Sequence, residues 1–306
     1  MTQTQNSQQF VMTQRNPAQG SYLPTPAHDV TVSKLTEDDR NEALAFLSKR
    51  STHTVALAGF IRDNGILSAH NRGTFYGSRN RDGQLDGVAL IGHATLVEAR
   101  SAQAMRRFGQ VAQTQTGTHM IMGQMEEVQR FWNDYAEDGQ EIRRACRELL
   151  FEVRTPTEVV EEIEGLRPAS LSDLDQIVPV QAAMAEAESG VNPLAIDPKG
   201  FRARCARRIE MGRTWVLEEN GQLLFKADIQ ADTPEVIYLE GIWVAPTQRG
   251  KGIGRKCLTQ LCRDLLARTT SVCLLVNEEC ERAHAFYRKC NFKLRGIYDS
   301  LFLCKA

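Results

Sequence analysis

The run Val244-Ala-Pro-Thr-Gln-Arg-Gly-Lys-Gly-Ile-Gly254 constrains this chain more than any other. Glu235 to Val244 reads as a β-strand leading into it. Ile253 to Ala267 reads as a helix leaving it, with Ile253, Cys257, Leu261 and Leu265 on one face. Between them lie a short Pro-containing turn and three glycines, which let the backbone turn tightly and approach a ligand closely. The first N–H groups of the helix have no acceptor within it and carry the positive end of its dipole. The segment is therefore an anion site suited to a pyrophosphate, with Arg249, Lys251 and Arg255 adding positive charge. Two other phosphate patterns fail. The P-loop needs a Gly-Lys-Ser/Thr run, and the dinucleotide fingerprint does not space its glycines as 250, 252 and 254.

The chain has 306 residues, enough for two ordinary domains. A formal net charge of −1 gives no reason to expect nucleic acid or an acidic membrane surface as partner. No apolar run reaches the roughly 18 residues of a membrane helix, and the polar N-terminus lacks the core of a secretory signal. A cytoplasmic protein is expected. None of the eight cysteines forms a C-x-x-C pair or a zinc-spaced Cys/His cluster, so no metal is expected. Cys257, Cys262 and Cys273 read as small buried hydrophobes.

Residues 1–29 read as a disordered tail. Beyond it, Thr36–Arg50 reads as a helix, and the runs Thr74–Ser78 and Gln84–Val97 flank the hairpin signal Asp82-Gly83. Ala102–Ala112 reads helical, His119–Met122 as a short apolar strand and Glu126–Tyr135 as a helix. Arg154-Thr155-Pro156 is a break. After it come a strand over Glu162–Arg167, a helix capped by Ser172 and an arginine-rich helix over Phe201–Met211. A hairpin about Asn220-Gly221 follows, then the strand and helix flanking the glycine run. A strand over Ser271–Val276, a helix over Cys280–Cys290 and a last strand over Phe292–Cys304 complete the chain. Both halves show the order helix, hairpin, helix, strand, helix. That is either a degenerate structural repeat or a coincidence common among mixed α/β domains.

Arg249 to Gly254 fits [QR]-x-x-G-x-[GA], and the segment resembles the loop that cradles the pyrophosphate of coenzyme A in the GNAT acetyltransferase superfamily. The residues after it agree: Asn277 ends the next strand, and Ala283 and Tyr287 lie on the following helix, where Asn291 stands in place of the usual Gly. The resemblance covers about residues 160–304. It implies a mixed-sheet α/β fold built as two tandem GNAT-like domains. These are a degenerate one over 30–155, which lacks the glycine run, and an acetyltransferase domain over 156–306. The first half also resembles the domain found ahead of some bacterial GNAT domains.

The implied activity is transfer of an acetyl group from acetyl-CoA to a primary amine by direct attack, on a small-molecule or peptide acceptor, in a monomer or homodimer. A regulatory module that binds acetyl-CoA without turnover is the alternative. The implied cofactor-binding set is Trp243, Val244, Arg249, Gly250, Lys251, Gly252, Ile253, Gly254, Arg255, Asn277, Ala283 and Tyr287. Tyr287 is implied as the acid that protonates the leaving thiolate, or else as a ring packed on the core. Glu240, on the face of the strand shared with Val244, is either the general base or the ion-pair partner of an arginine from Phe201–Met211. His284 reads as a solvated helix-surface residue, and Arg202, Arg204, Arg207 and Arg208 as a solvated face.

Overall fold

The computed structural model describes residues 30–115, 117–136, 140–157 and 162–304. The expected tail lies outside them. The first half of the chain runs β1 (Thr31–Lys34), α1 (Arg40–Ser48), α2 (Ser51–Asn64), β2 (Gly73–Arg79), β3 (Leu85–Gly92), β4 (Ala94–Ala99), α3 (Ala102–Gln113), β5 (Met120–Gln124), α4 (Met125–Tyr135) and β6 (Ile142–Val153). The second half runs β7 (Arg167–Pro168), α5 (Leu174–Ser189), α6 (Pro193–Ile196), α7 (Pro198–Glu210), β8 (Thr214–Glu219), β9 (Gln222–Asp232), β10 (Val236–Val244), α8 (Ile253–Leu266), β11 (Ser271–Asn277), α9 (Glu281–Lys289) and β12 (Lys293–Leu303).

Most expected elements are present, with several differences, among them the short helix α6, which the sequence reading did not anticipate. The run read as the first helix is a short 3-10 turn plus α1, and a second helix, α2, follows at once. Gln84–Val97 breaks at His93 into β3 and β4. The strand expected over Glu162–Arg167 shrinks to the two residues of β7. The capping side chain before α5 is Ser170, boxed with Asp173, rather than Ser172. Strands β1 and β6 had no counterpart in the sequence reading. The Asn220-Gly221 turn has φ of 52° and 75°, as a two-residue hairpin requires.

All the strands lie in one mixed sheet in the order β1-β2-β3-β4-β5-β12-β6-β11-β10-β9-β8-β7. Each half contributes its last strand to the middle. β6 pairs with β11 and β12, whereas β12 lies between β5 and β6 and so has both neighbours in the first half. Helix α2 ties the halves together on one face. Gly59 allows it to lie on β9, where an added Cβ would come within 2.5 Å of the Ala231 Cβ. Across the halves, Arg207 donates to Asn64 at 2.9 Å and Asp63 is ion-paired with Arg213, while within the first half Thr52 donates to Glu152 of β6 at 3.0 Å. On the other face of the second half, α8 and α9 bury Leu258, Leu261, Cys257 and Cys262 with Phe225, Leu239 and Phe292 in one cluster.

What shapes the site is a bulge in β10. Its parallel pairing with β11 runs from Val236–Ser271 to Leu239–Leu274 and then stops. On its other edge, Glu240 faces Asp228 but Trp243 faces Lys226, so β10 carries one extra residue there. Gly241 takes φ of 60° at this point, and a Cβ on it would meet Asp228 Oδ2 and Lys226 Nζ at 2.9 Å. The fully buried Lys226 ammonium donates to Gly241 O at 3.3 Å, to Gln181 Oε1 at 2.7 Å and to Asp228 Oδ2 at 2.5 Å. Asp228 also accepts from Thr214 and Arg208. Burial alone would raise its pKa, but the charges of Lys226 and Arg208 outweigh that and hold it below the usual carboxylate range.

Two outcomes are expected. Asp228→Ala leaves the Lys226 ammonium buried without its anion and lowers stability by about 3–5 kcal/mol in urea titration. Because the folded pKa of Asp228 is depressed, its contribution in the wild type is intact above about pH 4 and is lost as pH falls further. Residues 156–306 expressed alone should give no sharp thermal transition, since β12 lacks both its neighbours, and coexpression with 1–155 should restore one. A cooperative transition for the isolated second half would contradict the strand exchange.

Candidate active site

Beyond Leu239 and Leu274, β10 and β11 part, so residues Gly241 to Val244 have no strand partner on the β11 side. Val244 packs against the α8–α9 core, while Trp243 packs toward the α5–α7 cluster on the other face. Arg249 to Gly252 are exposed. Gly250 and Gly252 have φ of 79° and 86°, and a Cβ at either would meet nothing within 4 Å. Gly252 is the N-cap of α8, and no side chain caps that helix. The N–H groups of its first turn, beginning at Ile253, thus lack a capping side chain at the positive end of the dipole. Gly254 is needed for a different reason: a Cβ there would come within 2.7 Å of Val244 Cγ2, so its absence lets α8 start flush against β10. The Arg249 guanidinium donates to Val244 O at 3.1 Å and closes the turn, and Lys251 and Arg255 stand exposed beside it.

Asn277 ends β11. Its side chain accepts from Glu279 N at 2.8 Å, and its carbonyl accepts from His284 Nε2 at 2.9 Å. His284 is therefore a buried residue that fastens α9 to the end of β11 and stacks near Phe151, not the solvated residue expected. Ala283 packs on the same core. Tyr287, only 8% exposed, lies among Phe151, Phe286 and Phe292. Burial raises its pKa, so the phenol stays protonated. The sequence left ring packing and proton donation as alternatives for this residue; the packing observed is compatible with both.

Glu240 makes the ion pair that was one of its two readings, with Arg208 Nη1 at 2.9 Å. Arg208 also bonds to Asp228 and Gln230, so it belongs to the buried network and not to a solvated face. Two further carboxylates, unanticipated from the sequence, stand near Glu240. Glu148 of β6 faces Asn277 in register and accepts from Ser300 at 2.7 Å. Its pKa is raised by burial and by the charges of Asp299 and Glu240. Glu188, near the end of α5, is exposed on the surface, with the surrounding chain crowded about it. That crowding, then the charges of Glu148 and Glu240, push its pKa up to about 7. No local motif marks either residue, because the topology brings β6 and α5 to the end of β11.

The first half repeats this geometry without the anion site. β4 and β5 are parallel over only Ala94–Met120 and Thr95–Ile121 before they part. The start of α3 is filled from within, however. Ser101 Oγ accepts from Ala104 N at 3.1 Å and donates to Asp86, so a cap and a carboxylate already occupy the place left open at α8. Arg50 then spans the gap between the strands, donating to Glu98 on β4 at 2.8 Å and to Gln124 on β5.

A family model described as acetyltransferase (GNAT) domain matches residues 210–294. No curated protein matches the chain in sequence. Among solved structures, a GNAT-family acetyltransferase from Colwellia psychrerythraea superposes with a TM-score of 0.57 at 14% identity, over 90% of this chain and 100% of that one. A Drosophila protein superposes with a TM-score of 0.65 at 10% identity, over 90% and 98%. A tandem GNAT protein from the clavulanic acid biosynthesis pathway gives 0.53 at 12% identity, over 89% and 98%. Residues 210–294 thus match the GNAT family model, and the chain has the mixed α/β fold of GNAT structures, a tandem one among them.

Proposed function

We propose that the protein transfers an acetyl group from acetyl-CoA to a primary amine, using the second half of the chain as its catalytic domain. The observation that carries this reading is the open start of α8, whose glycine cap and uncapped first turn fit a diphosphate. In this reading Ile253 to Arg255 bind the diphosphate, with Arg249, Gly250, Lys251 and Gly252 around it. The gap between β10 and β11, bounded by Trp243, Val244, Asn277 and Ala283, takes the pantetheine arm. The bound donor supplies an acyl group activated as a thioester. The N–H groups of β10 that lost their β11 partners polarise the carbonyl, as an oxyanion site does.

Tyr287 gives its phenolic proton to the departing sulfur, a task for which a weak acid kept neutral by burial is suited. The amine must first lose a proton. Glu240 is tied to Arg208 at 2.9 Å, and that guanidinium occupies its carboxylate. Proton acceptance is therefore assigned to Glu188, with Glu240 as the neighbouring charge that keeps it basic. The division into 30–155 and 156–306 is retained as one of role, because the two halves exchange strands within one sheet.

Three results are expected. Acetyl-CoA raises the melting temperature of the protein while ATP and NAD do not, since only a ligand of the folded state shifts it. Tyr287→Phe keeps that shift and loses turnover; a purely regulatory module would be indifferent to the change. The acceptor kcat/KM rises with pH through about 7 as Glu188 becomes the anion that accepts a proton. Glu188→Gln removes that limb. If Glu240→Gln removes it and Glu188→Gln does not, Glu240 is the base.

A further inference from the structure

Strand β6 reaches past the end of β11 and carries a row of residues under the last turn of α5. Glu148 faces Asn277, the last residue of β11, so the residues before it lie beyond that edge. Cys146 Sγ donates to Glu188 O at 3.9 Å, and Arg144 Nη2 donates to Ala187 O at 3.2 Å. Arg144, Cys146 and Glu148 thus share the face of β6 that α5 covers. At one end of this row stand the carboxylates Glu148, Glu188 and Glu240. At the other is Arg144, about 13 Å from Glu148 along the strand. Glu188 lies over Cys146, midway between them.

Arg143 joins Arg144 through a bulge. Phe302 of β12 faces Arg144 but Leu303 faces Ile142, so Arg143 is the extra residue. The bulge cancels the alternation that would send neighbouring side chains to opposite faces. A Cβ on Gly190, the cap of α5, would stand 3.5 Å from Arg144 Nη1 and 3.6 Å from Arg143 Nη1, so the two guanidiniums are no farther apart than these distances together. Among the described residues neither forms an ion pair. Arg144 donates to Cys146 Sγ and Ala187 O, and the Arg143 guanidinium meets the ring of Phe302 at 5.8 Å. Arg144 answers the carbonyl end of α5, as a basic side chain at a helix C-terminus does. Arg143 is surplus to that task. Two like charges held side by side repel, and an anion placed between them relieves the repulsion.

We infer that Arg143 and Arg144 hold an anionic group of the acceptor, so that the acceptor is a primary amine which also carries a carboxylate or a phosphate. The inference rests on the acetyl-transfer reading for its chemistry and on the arginine pair alone for its binding. A guanidinium presents its N–H groups as a planar fork that matches either anion. The amine of such an acceptor lies toward Glu188 and the β10–β11 gap, and its anion lies under the cap of α5. Because Glu188 stands halfway along the row, amine and anion are only a few bonds apart, as in an amino acid or an aminoalkyl phosphate. The first half thereby acquires a role: the far end of β6 supplies both guanidiniums and helps to choose the acceptor.

Thiol-release kinetics compare amino acids with their amides, and aminoalkyl phosphates with uncharged alkylamines of equal length. Calorimetry follows binding of the same compounds without acetyl-CoA. The anionic amines should be the better acceptors by about tenfold or more in kcat/KM, the scale of one charge-assisted bond. Arg143→Gln should raise their KM by a similar factor and erase the preference for acid over amide, and Arg143→Lys should recover part of it. Gly190→Asp keeps both arginines and places a carboxylate between them. It should act as Arg143→Gln does, whereas Gly190→Asn, which carries the same backbone strain at φ of 73° without the charge, should not. Each variant should keep the acetyl-CoA melting shift. A preference for phosphates over carboxylates, or the reverse, supports the site and names its anion. Equal use of acids and amides, or equal effects of Gly190→Asp and Gly190→Asn, overturns the inference. Calorimetric binding of the anionic amines that Gly190→Asp abolishes, with no thiol released by any amine, leaves the site standing and removes the transfer reading instead.

Discussion

The contact between Lys226 and the carbonyl of Gly241 sets the rest of the site in place. A sheet has no intrinsic reason to open between two parallel strands that have paired for four residues. The extra residue in β10 supplies one, by turning the backbone out of register with β9 and away from β11. Such a bulge leaves a carbonyl without a ladder partner in the interior, which is costly unless something donates to it. Lys226 does so, and Asp228, Arg208 and Gln181 make its own burial tolerable. The same Arg208 reaches Glu240 at the mouth of the opening. The network that holds the strands apart therefore also ties down the carboxylate beside the gap.

The exchange of β6 and β12 gives the second half its floor. Glu148, opposite Asn277, comes from a strand that the chain order assigns to the first half, and α2 lies across the second half from the same side. The face of the sheet opposite α8 and α9 is consequently a joint construction. Without β6 from the first half, β11 would lose its partner on that side and present an exposed edge. Sharing strands replaces that edge with a paired one.

The glycine run and its flanking strand and helix were legible in the sequence because they depend on local geometry. Positive φ at Gly250 and Gly252, the close approach at Gly254 and the stripe of α8 are all consequences of neighbouring residues. What was illegible depends on distant contacts. Helix α2 is buried toward its own sheet at Leu57 and Ile61 and toward the other half at Val55, so it carries no single apolar face to mark it. Strand β6 reads Ile-Arg-Arg-Ala-Cys-Arg-Glu-Leu-Leu-Phe-Glu-Val, with charges at positions that a central strand would be expected to keep apolar. They are accommodated because Arg147 pairs with Asp299 and Glu152 with Arg154 and Arg295, partners up to 152 residues away. His284 was misread for the same reason: its helix looks solvated until the end of β11 is placed beneath it.

The two halves differ least in backbone and most in what fills the start of one helix. Both open a pair of parallel strands, and both follow the first of these with a helix. At α3 the orphan N–H groups meet Ser101, and Asp86 adds a carboxylate at the positive end of the dipole. A diphosphate arriving there would displace a satisfied cap and face a like charge, losing the 0.3–1 kcal/mol or so that a helix start ordinarily offers an anion. At α8 a glycine takes the cap position, contributes no oxygen and leaves the same groups unanswered. The gap beside α3 is further crossed by Arg50, whose guanidinium joins β4 to β5. A serine, an aspartate and an arginine thus close in the first half the place that a glycine leaves open at α8.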